Sequence, residues 1–347
     1  MKNNAKKTKK LLPLAVLLAA VALLGILLAV LTRSNADAVD TTIPLCSFTA
    51  DEIDRLAYSG NNTDVTLLKG STGDWMLDSD PALPLDQAKV TSLVEQYAAL
   101  AALRKLEGSD LAELPEKSAA PQMTITIGAG DKSLALTVDQ LNAVADVYYV
   151  YDESGAAYTV MRSDLATLSK SPRDLYKAQT LTDKTLSDVA AMQVNDLQFT
   201  QTDGSWTLTD DPDYPVSQSS VKKMADTILQ MQTAWTVTAP EADTAYGLDS
   251  PEVTAVLTFT DGTSLTVRFG NAVAAAADSS DGDSLCYLAS DAAPTVVYEV
   301  NADSKLAYAV TKESLYDETA TAETAASDPV AQYPVGGEDD YADSLPE

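Results

Sequence analysis

Histidine is absent from the 347 residues. That single absence removes Ser-His-Asp and Cys-His nucleophilic sites, histidine-ligated zinc and histidine-based pH switching. Cysteine is nearly as scarce. Only Cys46 and Cys286 occur, with no CxxC or other metal-ligand spacing. The two could pair in an oxidising compartment or stay free thiols, since separation along a chain says nothing about geometry. No GxGxxG follows a strand pattern, and no Walker-type phosphate loop or basic clamp occurs, so no cofactor is indicated.

Positive charge is also in short supply. There are 23 Lys and Arg against 51 Asp and Glu, a formal net charge of −28. Six of the 23 (Lys2, Lys6, Lys7, Lys9, Lys10 and Arg33) flank one apolar segment, and no acidic residue precedes Asp37. From residue 34 onward 17 basic residues face 51 acidic ones, a net of −34. Such a surface repels phosphate backbones and excludes nucleic acid as a partner.

Leu11–Thr32 is 22 residues without a charge. At ~1.5 Å per residue it spans about 33 Å, enough for a ~30 Å bilayer core. Lysines ahead of it place residues 1–10 in the cytoplasm and the rest of the chain outside. Ala36-Asp-Ala38 loosely matches a signal-peptide cleavage site, but the apolar run exceeds the usual length of ~7–15 residues. Residues 11–32 therefore read as a retained, single-pass anchor in the cytoplasmic membrane.

Beyond a linker, 33–45, the chain repeats itself. Gly73, Trp75, Leu77, Asp80, Pro81, Pro84, Gln87 and Val90 recur as Gly204, Trp206, Leu208, Asp211, Pro212, Pro215, Gln218 and Val221, every one displaced by the same interval. A helix is expected after each second proline. Its apolar stripe is Val90, Leu93, Val94, Tyr97 and Leu100 in one copy, and Val221, Met224, Ala225, Ile228 and Met231 in the other. Asp86 and Ser217 stand where N-caps belong. Strand patterns at 64–69, 74–77, 123–127, 134–138, 148–151 and 157–160, with counterparts in the second copy, make each unit β-β-α-β-β-β-β. The expected fold class is α+β: an N-terminal transmembrane helix, then two tandem repeats at 46–178 and 179–317. Each repeat is a mostly antiparallel sheet with one covering amphipathic helix. Residues 318–347 read as an acidic disordered tail.

These features resemble the DUF4340 family of bacterial proteins, whose function is unassigned. The residues that carry the resemblance are the G-x-W-x-L segment before a helix, Tyr246-Gly-Leu-Asp-Ser-Pro251, Thr260-Asp-Gly262, Phe269-Gly-Asn271 and the link Ser171-Pro-Arg-Asp-Leu-Tyr176. The first copy departs from the pattern, with Leu114-Pro-Glu-Lys-Ser-Ala-Ala-Pro121 in place of the Tyr246 segment. The family's association with gliding-type ABC transporters implies a role in the cell envelope.

Three features invite chemistry, and each has a plainer reading. Trp75 and Trp206 suit ligand stacking, but a Trp at one strand position of a repeat more often packs. Asp278-Ser-Ser-Asp-Gly-Asp283 spaces carboxylates as a calcium loop does, without the bidentate Glu of an EF-hand or flanking helices. Ser219-Ser-Val-Lys222 fits S-x-x-K, with no SDN or KTG companion. No catalytic, cofactor or metal residue is singled out. The expectation is a non-enzymatic accessory or scaffold module making protein–protein contact in an envelope or transporter assembly. The alternative is an extracytoplasmic binding protein for a glycan, peptide or cation.

Overall fold

The computed structural model describes residues 42–60, 63–274 and 284–319. Residues 11–32, Asp278–Asp283 and all but the first two residues of the acidic tail lie outside them. Two compact units divide the chain, with boundaries at Trp75/Met76, Asp86/Gln87 and Ser171/Pro172.

In chain order the strands are β1 (Ile43–Pro44), β2 (Arg55–Gly60), β3 (Thr63–Lys69), β4 (Trp75–Leu77), β5 (Ala101–Ala102), β6 (Arg104–Leu106), β7 (Met123–Ala129), β8 (Lys132–Asn142), β9 (Val147–Asp152) and β10 (Ala157–Met161). They continue as β11 (Val189–Val194), β12 (Leu197–Thr202), β13 (Ser205–Leu208), β14 (Trp235–Val237), β15 (Val253–Phe259), β16 (Ser264–Ala272), β17 (Leu285–Ser290) and β18 (Val297–Asn301). β1 and β5 pair separately. The others form two eight-stranded sheets, in the orders β4-β3-β2-β7-β8-β9-β10-β6 and β13-β12-β11-β15-β16-β17-β18-β14. Two helices of 12 residues, α1 (Gln87–Ala98) and α2 (Gln218–Leu229), accompany the sheets, and the remaining helical turns among the described residues are short.

The expected α+β class is thereby corrected. The described chain is dominated by two eight-stranded antiparallel sheets with few helices. No described helix is long and apolar enough to cross a membrane. Each sheet has two strands more than the six expected, and the physical reason lies in the missed ones. β6 and β14 are three residues long, too short to display a period of two. β11 (VAAMQV) carries two alanines, which are weak strand formers, and β2 (RLAYSG) ends on Ser and Gly.

The long helices bury one stripe each. Val90, Leu93, Val94 and Tyr97 are buried on α1, and Val221, Met224, Ala225, Ile228 and Leu229 on α2. In the second unit that stripe joins Met192, Phe199, Trp206, Leu257, Phe269 and Leu288 of the sheet in one core. Each Val, Leu, Ile, Phe or Met among them contributes about 1.5–3 kcal/mol of transfer free energy. In the first unit the Tyr97 ring stacks on Tyr58 of β2 at 5.5 Å.

The sheets share irregularities as well as order. Pairing slips between Val138 and Leu141 on β8, and between Phe269 and Ala272 on β16, at equivalent positions of the two copies. A tyrosine ties each long helix to the segment after the last long strand, with the roles reversed. Tyr97 of α1 donates to the Leu168 carbonyl at 3.0 Å, whereas Tyr308 donates to the Met224 carbonyl of α2 at 2.9 Å.

Candidate functional site

The two tryptophans nominated for stacking are buried, at 6% and 2% exposure. Each is clasped by the first residue of the following helix. The Trp75 N–H donates to Gln87 Oε1 at 2.7 Å, and Gln87 Nε2 donates back to the Trp75 carbonyl at 3.0 Å. Trp206 and Gln218 repeat this at 2.7 and 2.8 Å. The rings therefore serve packing. At the start of α2, Ser217 holds the N-cap position, but its hydroxyl caps no backbone N–H and meets the Ser219 and Ser220 hydroxyls instead.

A cleft of about 610 Å³ opens in the second unit beside β13 and the start of α2. Gln201, Asp203, Trp206, Gln218, Ser219 and Lys222 contribute to its wall. A neighbouring hollow of about 320 Å³ shares Leu186 and Lys222 with it. The structure thus brings Ser219 and Lys222 to one surface, one helical turn apart. It does not arm them as a nucleophile and base. The Ser219 hydroxyl meets that of Ser217 at 3.2 Å, and among the described residues no hydrogen bond joins it to Lys222. Both side chains are exposed, without the desolvation that activates such a lysine.

Two of the segments that carry the family resemblance, Tyr246–Pro251 and Phe269–Asn271, meet in the second unit. A 3₁₀ turn over Asp243–Tyr246 ends at Gly247, whose φ of 70° is the left-handed conformation glycine tolerates best. A Cβ there would run into the Asn271 amide, and a Cβ on Gly270 into the Tyr246 carbonyl oxygen. The Tyr246-Gly-Leu and Phe269-Gly-Asn segments therefore press backbone to backbone. Arg268 locks the junction, donating from Nη1 to the Leu248 carbonyl at 2.6 Å and to Asp243 Oδ2 at 2.9 Å. Tyr246, Leu248, Ala289 and Val297 bury a small cluster there, with the Tyr246 ring edge-on to Tyr287 at 4.8 Å. At the turn, the Lys184 ammonium donates to Asp261 at 2.7 Å and Thr263 donates through its hydroxyl and N–H, and these partners hold the carboxyl well below the usual range.

The first unit solves the same problem differently. Asp139, which stands in the first copy where Gly270 stands in the second, is buried, and its carboxylate accepts the Ser118 N–H at 3.1–3.2 Å. Lys117 lies 3.8 Å over the Tyr151 ring, and Leu114 packs nearby. The departing Leu114–Pro121 segment is thus held by a carboxylate rather than by a glycine contact.

Sequence reasoning attached no role to the cluster around the link. Arg173 pairs with Glu299, which is 4% exposed. Nη2 donates to Oε1 at 3.1 Å, and Nη1 lies 2.8 Å from Oε2. The guanidinium lies 4.7 Å over the Trp235 ring, and the Tyr176 hydroxyl meets those of Thr233 and Thr236 at 2.7 Å. The presence of Arg and Tyr in Ser171–Tyr176 was the signal that could have suggested an anchored link. Cys46 and Cys286 are both free and buried, and burial pushes the Cys286 thiol up to about 11. Among the described residues no group of three or more acidic or cysteine side chains is placed to hold a metal ion.

No curated protein and no solved structure matches the chain. The model of DUF4340, a domain of unknown function, matches residues 206–326. That span begins at the clasped Trp206 and takes in α2, the Tyr246 and Phe269 segments and the closing strands of the second sheet. The chain carries a DUF4340 domain, and the glycine junction belongs to it.

Proposed function

We propose that this protein is a non-enzymatic accessory module, held at the outer face of the cytoplasmic membrane and making protein–protein contact in an envelope or transporter assembly. One observation carries the reading: the residues that mark the family are spent on fastening a loop to a sheet. Gly270 packs on the Tyr246 carbonyl, Gly247 on Asn271, and Arg268 bonds Asp243 and Leu248, and none of these contacts presents a reacting group. The 22 uncharged residues at 11–32, with five lysines before them, support the membrane placement. The test is cross-linking in native membranes followed by purification of the full chain. A reproducible partner of defined stoichiometry supports the reading. Recovery solely as a monomer refutes it.

The cleft beside Trp206 favours one second reading, an extracytoplasmic binding protein. Its volume of about 610 Å³ lies within the ~300–1,000 Å³ of small-molecule sites. Its lining offers amides, hydroxyls, one cation and one carboxylate beside apolar side chains, which suits a glycan or peptide. A thermal-shift screen separates the readings, because a ligand at about 100 times its Kd adds about 2.7 kcal/mol to stability.

A further inference from the structure

Among the described residues β13 is the terminal strand of the second sheet, and its outer side is where another strand would add. The ladder shows which backbone groups face that way. Phe199 lies opposite Leu208, and one step further the Thr209 N–H bonds the Gln198 carbonyl at 2.9 Å. Antiparallel pairs alternate between bonded and non-bonded. Trp206, opposite Gln201, is therefore in a non-bonded pair, and its N–H and C=O point out of the sheet. Those are the two groups that the Gln218 side chain takes up. A primary amide presents an acceptor and a donor side by side, as the peptide group of a neighbouring strand does. The same closure, by Gln87 on Trp75, stands at β4, the terminal strand of the first sheet.

We infer that Gln218 is a strand-edge cap, which stands in for one peptide group of a neighbouring strand and so keeps β13 from pairing with the β13 edge of a second copy of this chain. Three features make a second copy the occupant to be kept out. The same edge is present on every copy, so two of them can meet antiparallel about a twofold axis. The edge stands beside an open cleft to which Trp206 and Gln218 both contribute. Ser205 and Thr207, the outer-face side chains of the strand, are exposed and uncharged, so no like charge directly opposes self-pairing.

The experiment compares the wild-type full chain in detergent micelles with Gln218→Leu and Gln218→Glu, by sedimentation over a range of concentrations. Near-ultraviolet circular dichroism of the tryptophans checks that each variant is folded. Leucine keeps the bulk but removes both partners of Trp206. Glutamate still accepts from the Trp206 N–H and sets a negative charge on the edge. The expected result is that Q218L gains mass with concentration, to about twice the wild-type value, while Q218E matches the wild type. Hydrogen exchange then shows the Trp206 amide of Q218L protected when concentrated and exchanging when diluted. If Q218L fails to fold, Gln218→Asn, one methylene too short to reach, carries the same test. A folded variant that matches the wild-type mass at every concentration would reduce Gln218 to a tether between helix and sheet. Equal association of the leucine and glutamate variants would overturn the inference too, since it would trace association to general loosening.

Discussion

Gly247 and Gly270 meet the same junction for different reasons, and this gives a test at the scale of single residues. At Gly247 the difficulty is the backbone: a φ of 70° costs an L-residue about 1–2 kcal/mol. What a new methyl would meet there is the end of the Asn271 side chain, which can swing aside. At Gly270 the obstacle is the Tyr246 carbonyl, fixed in a turn, with Leu248 behind it. Gly270→Ala must therefore move backbone and should destabilise by more than Gly247→Ala, about 2 kcal/mol or above on the scale of other core overpacking. Urea denaturation of the two variants gives the order, and an equal or reversed order would break the account of the junction. The sequence displayed both glycines but not their opposition. Nothing in the pattern Tyr-Gly-Leu or Phe-Gly-Asn says that the two touch, because their contact depends on how a distant strand folds back past the turn. Asp139 shows the same limit: a buried carboxylate in a strand cannot be told from an exposed one until its partner Ser118 is known.

At the scale of elements, the strongly periodic segments were readable and the weakly patterned ones were not. The stripes of α1 and α2 were legible because 3.6-residue spacing survives over 12 residues. β2, β6, β11 and β14 were not, since strands of three residues or with alanine and glycine show no alternation. Without them each expected sheet was two strands short, which gave its single helix too large a share of the α+β class. The tyrosine ties between helix and closing segment were hidden as well, and they have a measurable consequence. Burial raises the ionisation of both Tyr97 and Tyr308 far above the ordinary value of about 10. The unfolded chain gives up these protons near pH 10 and the folded chain keeps them. Stability is therefore fully present below about pH 10 and is lost above it, by up to about 1.4 kcal/mol per pH unit for each tyrosine. Denaturant melts from pH 8 to 11 should show that fall. Tyr97→Phe should flatten it for the first unit and Tyr308→Phe for the second, at a cost of about 1–2 kcal/mol near neutrality for the lost hydrogen bond. An unchanged slope in both variants would mean that other groups govern the alkaline limb.

At the scale of the whole molecule, charge of one sign is the dominant fact. If each of the 17 cations beyond residue 33 met its own carboxylate, 34 of the 51 acidic residues would still lack one. Ion pairs among the described residues include Arg104–Asp110, Lys184–Asp261, Lys305–Glu252 and Arg173–Glu299. Of these, the Arg173–Glu299 pair has a carboxylate that is almost wholly buried. Exposed pairs of the other kind contribute little, because water screens them and two long side chains must be held still. Salt weakens those few attractions and, at the same time, the many repulsions among the surplus carboxylates. Raising ionic strength from about 0.01 M to about 0.15 M shortens the Debye length from about 30 Å to about 8 Å. That change silences repulsion between distant carboxylates, whereas pairs in contact at 2.7–3.9 Å lose much less. The repulsive sum is long-ranged and the attractive one short-ranged, so screening should stabilise the fold. The thermal midpoint is expected to rise as potassium chloride is added over this interval and to level off beyond it. A midpoint that fell with salt would show that the few ion pairs outweigh the surplus charge, and would return the −34 to the role of a solubilising coat with no hold on stability.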